Sequence, residues 1–121
     1  MSQILKTGKG WRIGWNPDAS CYKGLVGSDD WAFELTNEEF KDFCRLFQQL
    51  TETMVVMKEE LMDEEKIACE AESELLWMEV EGFPDNYSLR LILNQNRRCE
   101  GNWNQNSIIQ LAKAVKYFKY V

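Results

Sequence analysis

Glu70, Glu72, Glu74, Glu79 and Glu81 recur at alternate positions along two neighbouring stretches. On adjacent strands such carboxylates face one side, the least geometry that a hard cation or acid–base chemistry needs. No aspartate-rich loop with a glycine bend accompanies them. The chain also has no histidine, which removes the commonest general base and the commonest transition-metal ligand. The run is therefore expected to be a solvated sheet face that discourages edge pairing. A nucleophilic cysteine needs a base partner in an electropositive, accessible setting. Cys44 instead lies between Phe40 and Phe47 in an apolar stripe, and Lys66, at the head of the glutamate stretch, is the best remaining base candidate. Lys6-Thr7-Gly8-Lys9-Gly10 lacks the glycine spacing of a phosphate-binding loop. No catalytic residue, metal or cofactor is expected, and the chain is read as not an enzyme.

Aromatic and basic residues offer a different chemistry. Five tryptophans could stack bases, each worth about 1–3 kcal/mol. Trp31 keeps step with Phe33 and Leu35 and reads as core. Trp77 shares its phase with Glu79 and Glu81 and reads as outward. Trp103 is the second candidate platform. Arg90, Arg97 and Arg98, with Lys113, Lys116 and Lys119, form the one basic cluster and could track a phosphate backbone. The competing expectation pairs them with the surplus carboxylates of the same chain or a partner.

That surplus is unevenly distributed. The net charge is −6 over 121 residues, but residues 1–25 carry +3, residues 26–85 carry −14 and residues 86–121 carry +5. Basic ends flank an acidic middle, so a simple nucleic-acid binder is disfavoured. Cys21, Cys44, Cys69 and Cys99 are scattered without a CxxC pair, which reads as four buried thiols in a reducing cytoplasm. No apolar run exceeds four residues, so no membrane partner is expected.

The elements follow from periodicity. Thr36-Asn37-Glu38-Glu39 is a capping box that opens a helix reaching Leu61, with Phe40, Phe43, Cys44, Phe47, Leu50 and Met54 on one stripe. Ahead of it, Gly8-Lys9-Gly10 reads as a flexible lead-in, and Trp11, Ile13 and Trp15 as a strand. Tyr22–Val26 and Trp31–Leu35 form a hairpin around Gly27–Asp30. A polar break at Met62–Glu65 precedes strands over 67–74 and 76–81, a turn at Gly82–Asn86 and a strand at Tyr87–Leu93 with the cleanest alternation. Asn94–Asn96 turns into Arg97–Trp103. Asn104 then caps a second helix with Ile108, Leu111, Ala112, Val115 and Phe118 on its stripe.

A shift of 68 residues lays the cap and stripe of the first helix on those of the second, and Leu35 on Trp103. The fold class is therefore α+β: two antiparallel strand groups, each followed by an amphipathic helix, in a single domain of two pseudo-halves, 9–61 and 64–121. The second stripe is nearly as apolar as the first, which predicts a homodimer in which one helix packs on its two-fold mate.

Gly10-Trp11-Arg12, Trp31-Ala32, Glu34-Leu35-Thr36, Phe43-Cys44-Arg45-Leu46, Cys69 to Ser73, Trp77 and Glu100-Gly101-Asn102-Trp103 form a pattern spanning nearly the whole chain. In these words the chain resembles a small cyanobacterial family of unknown function. That family is similar to the single-stranded-DNA-binding transcriptional regulator fold typified by the Whirly proteins, in which strand–helix units pair through their helices. The resemblance implies a fold, not an activity. Whirly proteins carry a Lys-Gly-Lys-containing strand motif; the nearest string, Lys9-Gly10-Trp11-Arg12, precedes the expected first strand. The leading expectation is a non-enzymatic interaction or regulatory module with an unknown protein partner. The alternative is a single-stranded nucleic-acid binder using Arg90, Arg97, Arg98, Trp77, Trp103, Lys113 and Lys116.

Overall fold

A computed structural model describes residues 3–60, 65–94 and 97–118. Two four-stranded antiparallel sheets, each followed by a helix, make an α+β fold in the order the stripes and alternations predict. The first sheet comprises β1 (Ile4–Gly8), β2 (Trp11–Trp15), β3 (Gly24–Gly27) and β4 (Ala32–Leu35), and leads into α1 (Asn37–Glu60). The second comprises β5 (Ile67–Glu72), β6 (Leu76–Phe83), β7 (Asn86–Leu93) and β8 (Glu100–Trp103), followed by α2 (Gln105–Tyr117). Each sheet is a plain meander, with every strand paired to its neighbour in sequence.

The capping box forms as its spacing requires. The Glu39 amide donates to Thr36 Oγ1 at 3.2 Å, and the Thr36 amide donates to Glu39 Oε1 at 2.8 Å. Asn104 caps α2 by accepting from the Asn106 amide at 3.0 Å. Both helices lie against both sheets: α1 against β3, β4, β5 and β6, α2 against β1, β2, β7 and β8, with the helices touching each other. One continuous core results, in which the whole of the first stripe and Ile108, Leu111, Val115 and Phe118 of the second are buried. Most of both stripes is covered within one chain, and among the described residues the apolar side chains that the helices leave exposed include Val55 and Val56 of α1 and Ile109 of α2.

Three sequence expectations are corrected. Gly8-Lys9-Gly10 is not a lead-in but the turn of a hairpin whose first strand, β1, alternation did not reveal. Gly10 has φ of +83°, and a Cβ there would lie 2.3 Å from Ser107 Oγ, so only glycine fits. Of the four unpaired cysteines only Cys44 is buried; Cys21 is exposed and Cys69 and Cys99 are half-buried. The expected strand at Arg97–Trp103 shortens to Glu100–Trp103. Leu61, the break at Met62–Glu64, the turn residues Gln95 and Asn96, and Lys119 lie outside the described residues.

Candidate interaction surfaces

Strand register dictates what each sheet shows to solvent, since side chains alternate between core and outer face. On the second sheet one outer row runs Glu70, Glu79, Arg90, Asn102, and the next runs Glu72, Trp77, Ile92, Glu100. The acidic run is thus an outer sheet face, as its period predicts. Glu70 and Glu79 stand directly opposite each other, a destabilising like-charge pair. Trp77 is half-buried on this face: its Nε1–H donates to Glu70 Oε2 at 3.3 Å, and the Arg90 guanidinium lies 5.4 Å from its ring centroid. Arg90 also pairs with Glu100 at 2.8 Å. Its charge is therefore spent within an acidic surface. Among the described residues no three acidic or thiol side chains converge as metal ligands would.

The other named residues separate. Trp103 is 1% exposed, its Nε1–H donates to the Gly27 carbonyl at 2.8 Å, and it packs on Trp31 and Phe43. It is a core residue and offers no stacking face. The alternation carried this signal, because Gly101 and Trp103 are out of phase with the polar Glu100 and Asn102. Arg97 turns inward: it pairs with Glu39 at 3.2 Å, donates to the Glu34 carbonyl and lies 4.6 Å over the Tyr22 ring. With Glu39 only 5% exposed, this is a clamp joining the entry of β8 to the cap of α1, not a phosphate contact. Arg98 is exposed with φ of 48°. Lys113 and Lys116 are exposed on α2. The basic residues expected to act together thus belong to three places: the outer face of the second sheet, the α1 cap and the flank of α2.

The outer face of the first sheet is of another kind. Its rows are Leu5, Gly14, Leu25, Glu34 and Thr7, Arg12, Gly27, Ala32. Gly14 provides no side chain between the two leucines, and the three help to line a depression of about 250 Å³. Leu5 is 59% exposed beside it. The polar rim is held in place from beneath. Arg12 Nε–H donates to the Ser28 carbonyl at 2.9 Å and its Nη2–H to that of Trp31 at 3.2 Å. Lys23 Nζ donates to the carbonyls of Pro17 at 2.6 Å and Ala19 at 2.9 Å. Tyr22, 40% exposed, stands on the same rim. Sequence reasoning missed this trough because Leu5, Gly14 and Leu25 meet only through strand register.

A second depression, of about 370 Å³, runs between β1 and α2, lined by Lys6, Thr7, Gln110, Lys113 and Tyr117. Lys6 Nζ sits 4.0 Å from the Tyr117 ring centroid. Among the described residues no cysteine lines either hollow. Burial pushes the Cys44 thiol up from 9.0 to about 12, so it stays protonated and inert. Lys66 is paired with Glu81 at 3.3 Å on the surface. Among the described residues no helix is long and apolar enough to cross a membrane.

The fold recurs in a crystal structure from the cyanobacterium Prochlorococcus sp. NATL2A, titled as a protein of unknown function from the DUF155 family. The two align with a TM-score of 0.89 and 29% identity over 95% of this chain and 98% of that one. No curated protein matches the chain significantly. The family profile described as a domain of unknown function, DUF1818, matches residues 6–118, and the chain belongs to that family.

Proposed function

We propose that the protein is a non-enzymatic interaction module that binds a protein partner through the outer face of β1–β4. The observation that carries this is the Leu5–Gly14–Leu25 trough: apolar at its floor, ringed by Arg12, Lys23, Tyr22 and Glu34. An apolar centre with a polar rim rich in tyrosine and arginine is the anatomy of a protein contact. A sheet face facing only water would carry charge there instead, as the second sheet does. The absence of histidine and the protonated Cys44 agree with a binding role, and the four unpaired cysteines suit a reducing cytoplasm. Self-association through the helices has no part in this reading.

The test is a single charge placed in the trough. Leu25→Asp is expected to abolish co-purification of a stoichiometric partner from the native host while leaving the circular dichroism spectrum and melting temperature nearly unchanged. A partner retained by Leu25→Asp would reject the trough as the contact.

Single-stranded nucleic acid is the second reading. Its support is the resemblance to the Whirly fold, together with Arg98, Lys113 and Lys116 on the surface. It ranks lower because Trp103 and Arg97 are engaged internally and Trp77 stands among glutamates, which repel a polyanion within a Debye length of about 8–10 Å. Oligo-dT binding that falls about tenfold or more between about 50 and 200 mM salt would promote it. Tryptophan fluorescence unmoved by oligo-dT at low salt would remove it.

A further inference from the structure

The hollow between β1 and α2 differs in chemistry from the trough. β1 is the terminal strand of its sheet, paired to β2 alone. Beyond that ladder, no hydrogen bond between described residues reaches the backbone of Ile4–Gly8. Among the described residues, one side of the strand is therefore left with main-chain donors and acceptors that no ladder uses. Directly beside it stand Lys6 and Lys113, with Lys9 in the adjoining turn. Among the described residues no carboxylate comes within ion-pair distance of any of the three. In a chain of net charge −6, a groove whose charged lining, among the described residues, is Lys6 and Lys113 is out of keeping with the whole.

We infer that the β1 edge and the α2 flank form a docking strip for an extended, acidic segment of a protein partner, added to the first sheet as a further strand. Two features select this occupant. The open ladder rewards an extended peptide backbone, which completes the sheet's hydrogen bonds; a phosphodiester chain has no matching donors. The lysines supply the sequence preference: alternate side chains of an added strand fall on one face, where acidic ones meet Lys6 and Lys113. Lysine on an edge strand ordinarily discourages pairing. Here a strand carrying carboxylates relieves the cost that any other strand meets. Tyr117 is no base platform, because Lys6 already covers its ring at 4.0 Å.

This inference rests on the interaction-module reading but not on its trough, so Leu25→Asp should leave it intact. The probe is a short synthetic peptide alternating glutamate with valine, compared with its lysine–valine counterpart and with oligo-dT. At about 50 mM salt the native protein should bind the glutamate peptide at least about tenfold more tightly than the lysine peptide. Amides of Ile4–Gly8 should become protected from hydrogen exchange. The double variant Lys6→Glu/Lys113→Glu should exchange the two preferences. No binding of the glutamate peptide, or equal affinity for the two peptides, overturns the inference. So does displacement of the peptide by oligo-dT at lower concentration, which assigns the strip to nucleic acid. Self-association of the native chain that the double variant abolishes also overturns it, since the occupant is then a second copy. Should the double variant fail to fold, the comparison of the two peptides on the native protein decides alone.

Discussion

The two sheets are alike inside and opposite outside. Their inner faces carry the same kind of residue, Trp11, Ile13, Trp15 and Val26 in one, Leu76, Met78, Val80 and Leu91 in the other, all buried. Their outer faces diverge. One row of the second sheet places Glu70 against Glu79, while the corresponding surface of the first places Leu5 beside Gly14 and Leu25. Packing constrains the inner faces, since each must fill the space against the same two helices. Nothing in the fold constrains the outer ones. A face that stays apolar and hollow at no benefit to the core points to a contact, whereas an acidic face is adequately explained by solvation.

The largest expected effect is on the shared interior. Trp103 of β8 bonds to Gly27 of β3 and packs on Trp31, so it ties the two sheets together. Trp103→Ala should cost about 3–5 kcal/mol in chemical denaturation, from lost burial and an orphaned carbonyl. A small loss would mean that the sheets do not share one core. Arg97→Ala should cost about 2 kcal/mol, because it leaves the nearly buried Glu39 carboxylate without its cation. Arg97→Lys should recover only part, since a lysine cannot reproduce the stacked, forked contact with Tyr22, Glu39 and Glu34.

These two positions show what the sequence made legible. The inner alternations, the capping box and both stripes were readable because each is a local pattern whose period matches its element. β1 was not, because its inward residues are Ile4, Lys6 and Gly8, of which only one is apolar. Gly8 is small because the Trp11 indole occupies the space a Cβ would take, 2.3 Å from Nε1. The role of Arg97 is not legible in the sequence because its partner Glu39 is 58 residues away; a charge cluster in sequence says nothing of such pairs. The trough was invisible for the same reason, since register alone brings its residues together.

A pH effect sharpens the contrast between buried and exposed thiols. Burial raises the Cys44 thiol to about 12 from 9.0, so above about pH 9 the unfolded chain loses a proton that the folded one keeps. Stability from this group is complete below about pH 9 and declines as pH rises toward about 12. Cys44→Ala should flatten that decline in urea titrations. In the native protein an aromatic disulfide reagent near neutral pH should modify the exposed Cys21 quickly and Cys44 only on unfolding. The smallest effect concerns the acidic face: Glu70→Gln removes the repulsion from Glu79 but weakens the contact with Trp77. Its stability should change by no more than about 0.5 kcal/mol, read from paired denaturation curves at low and high salt. A large loss would mean that the acidic face does more than meet water.

The difference between the outer faces is tested most directly by photo-crosslinking in the native host. A photoreactive amino acid is placed singly at position 25, in the trough of the first sheet, or at position 79 or 88, on the outer face of the second. The account predicts one discrete protein adduct from position 25 and none from 79 or 88. An adduct from the second sheet with none from the first would contradict it.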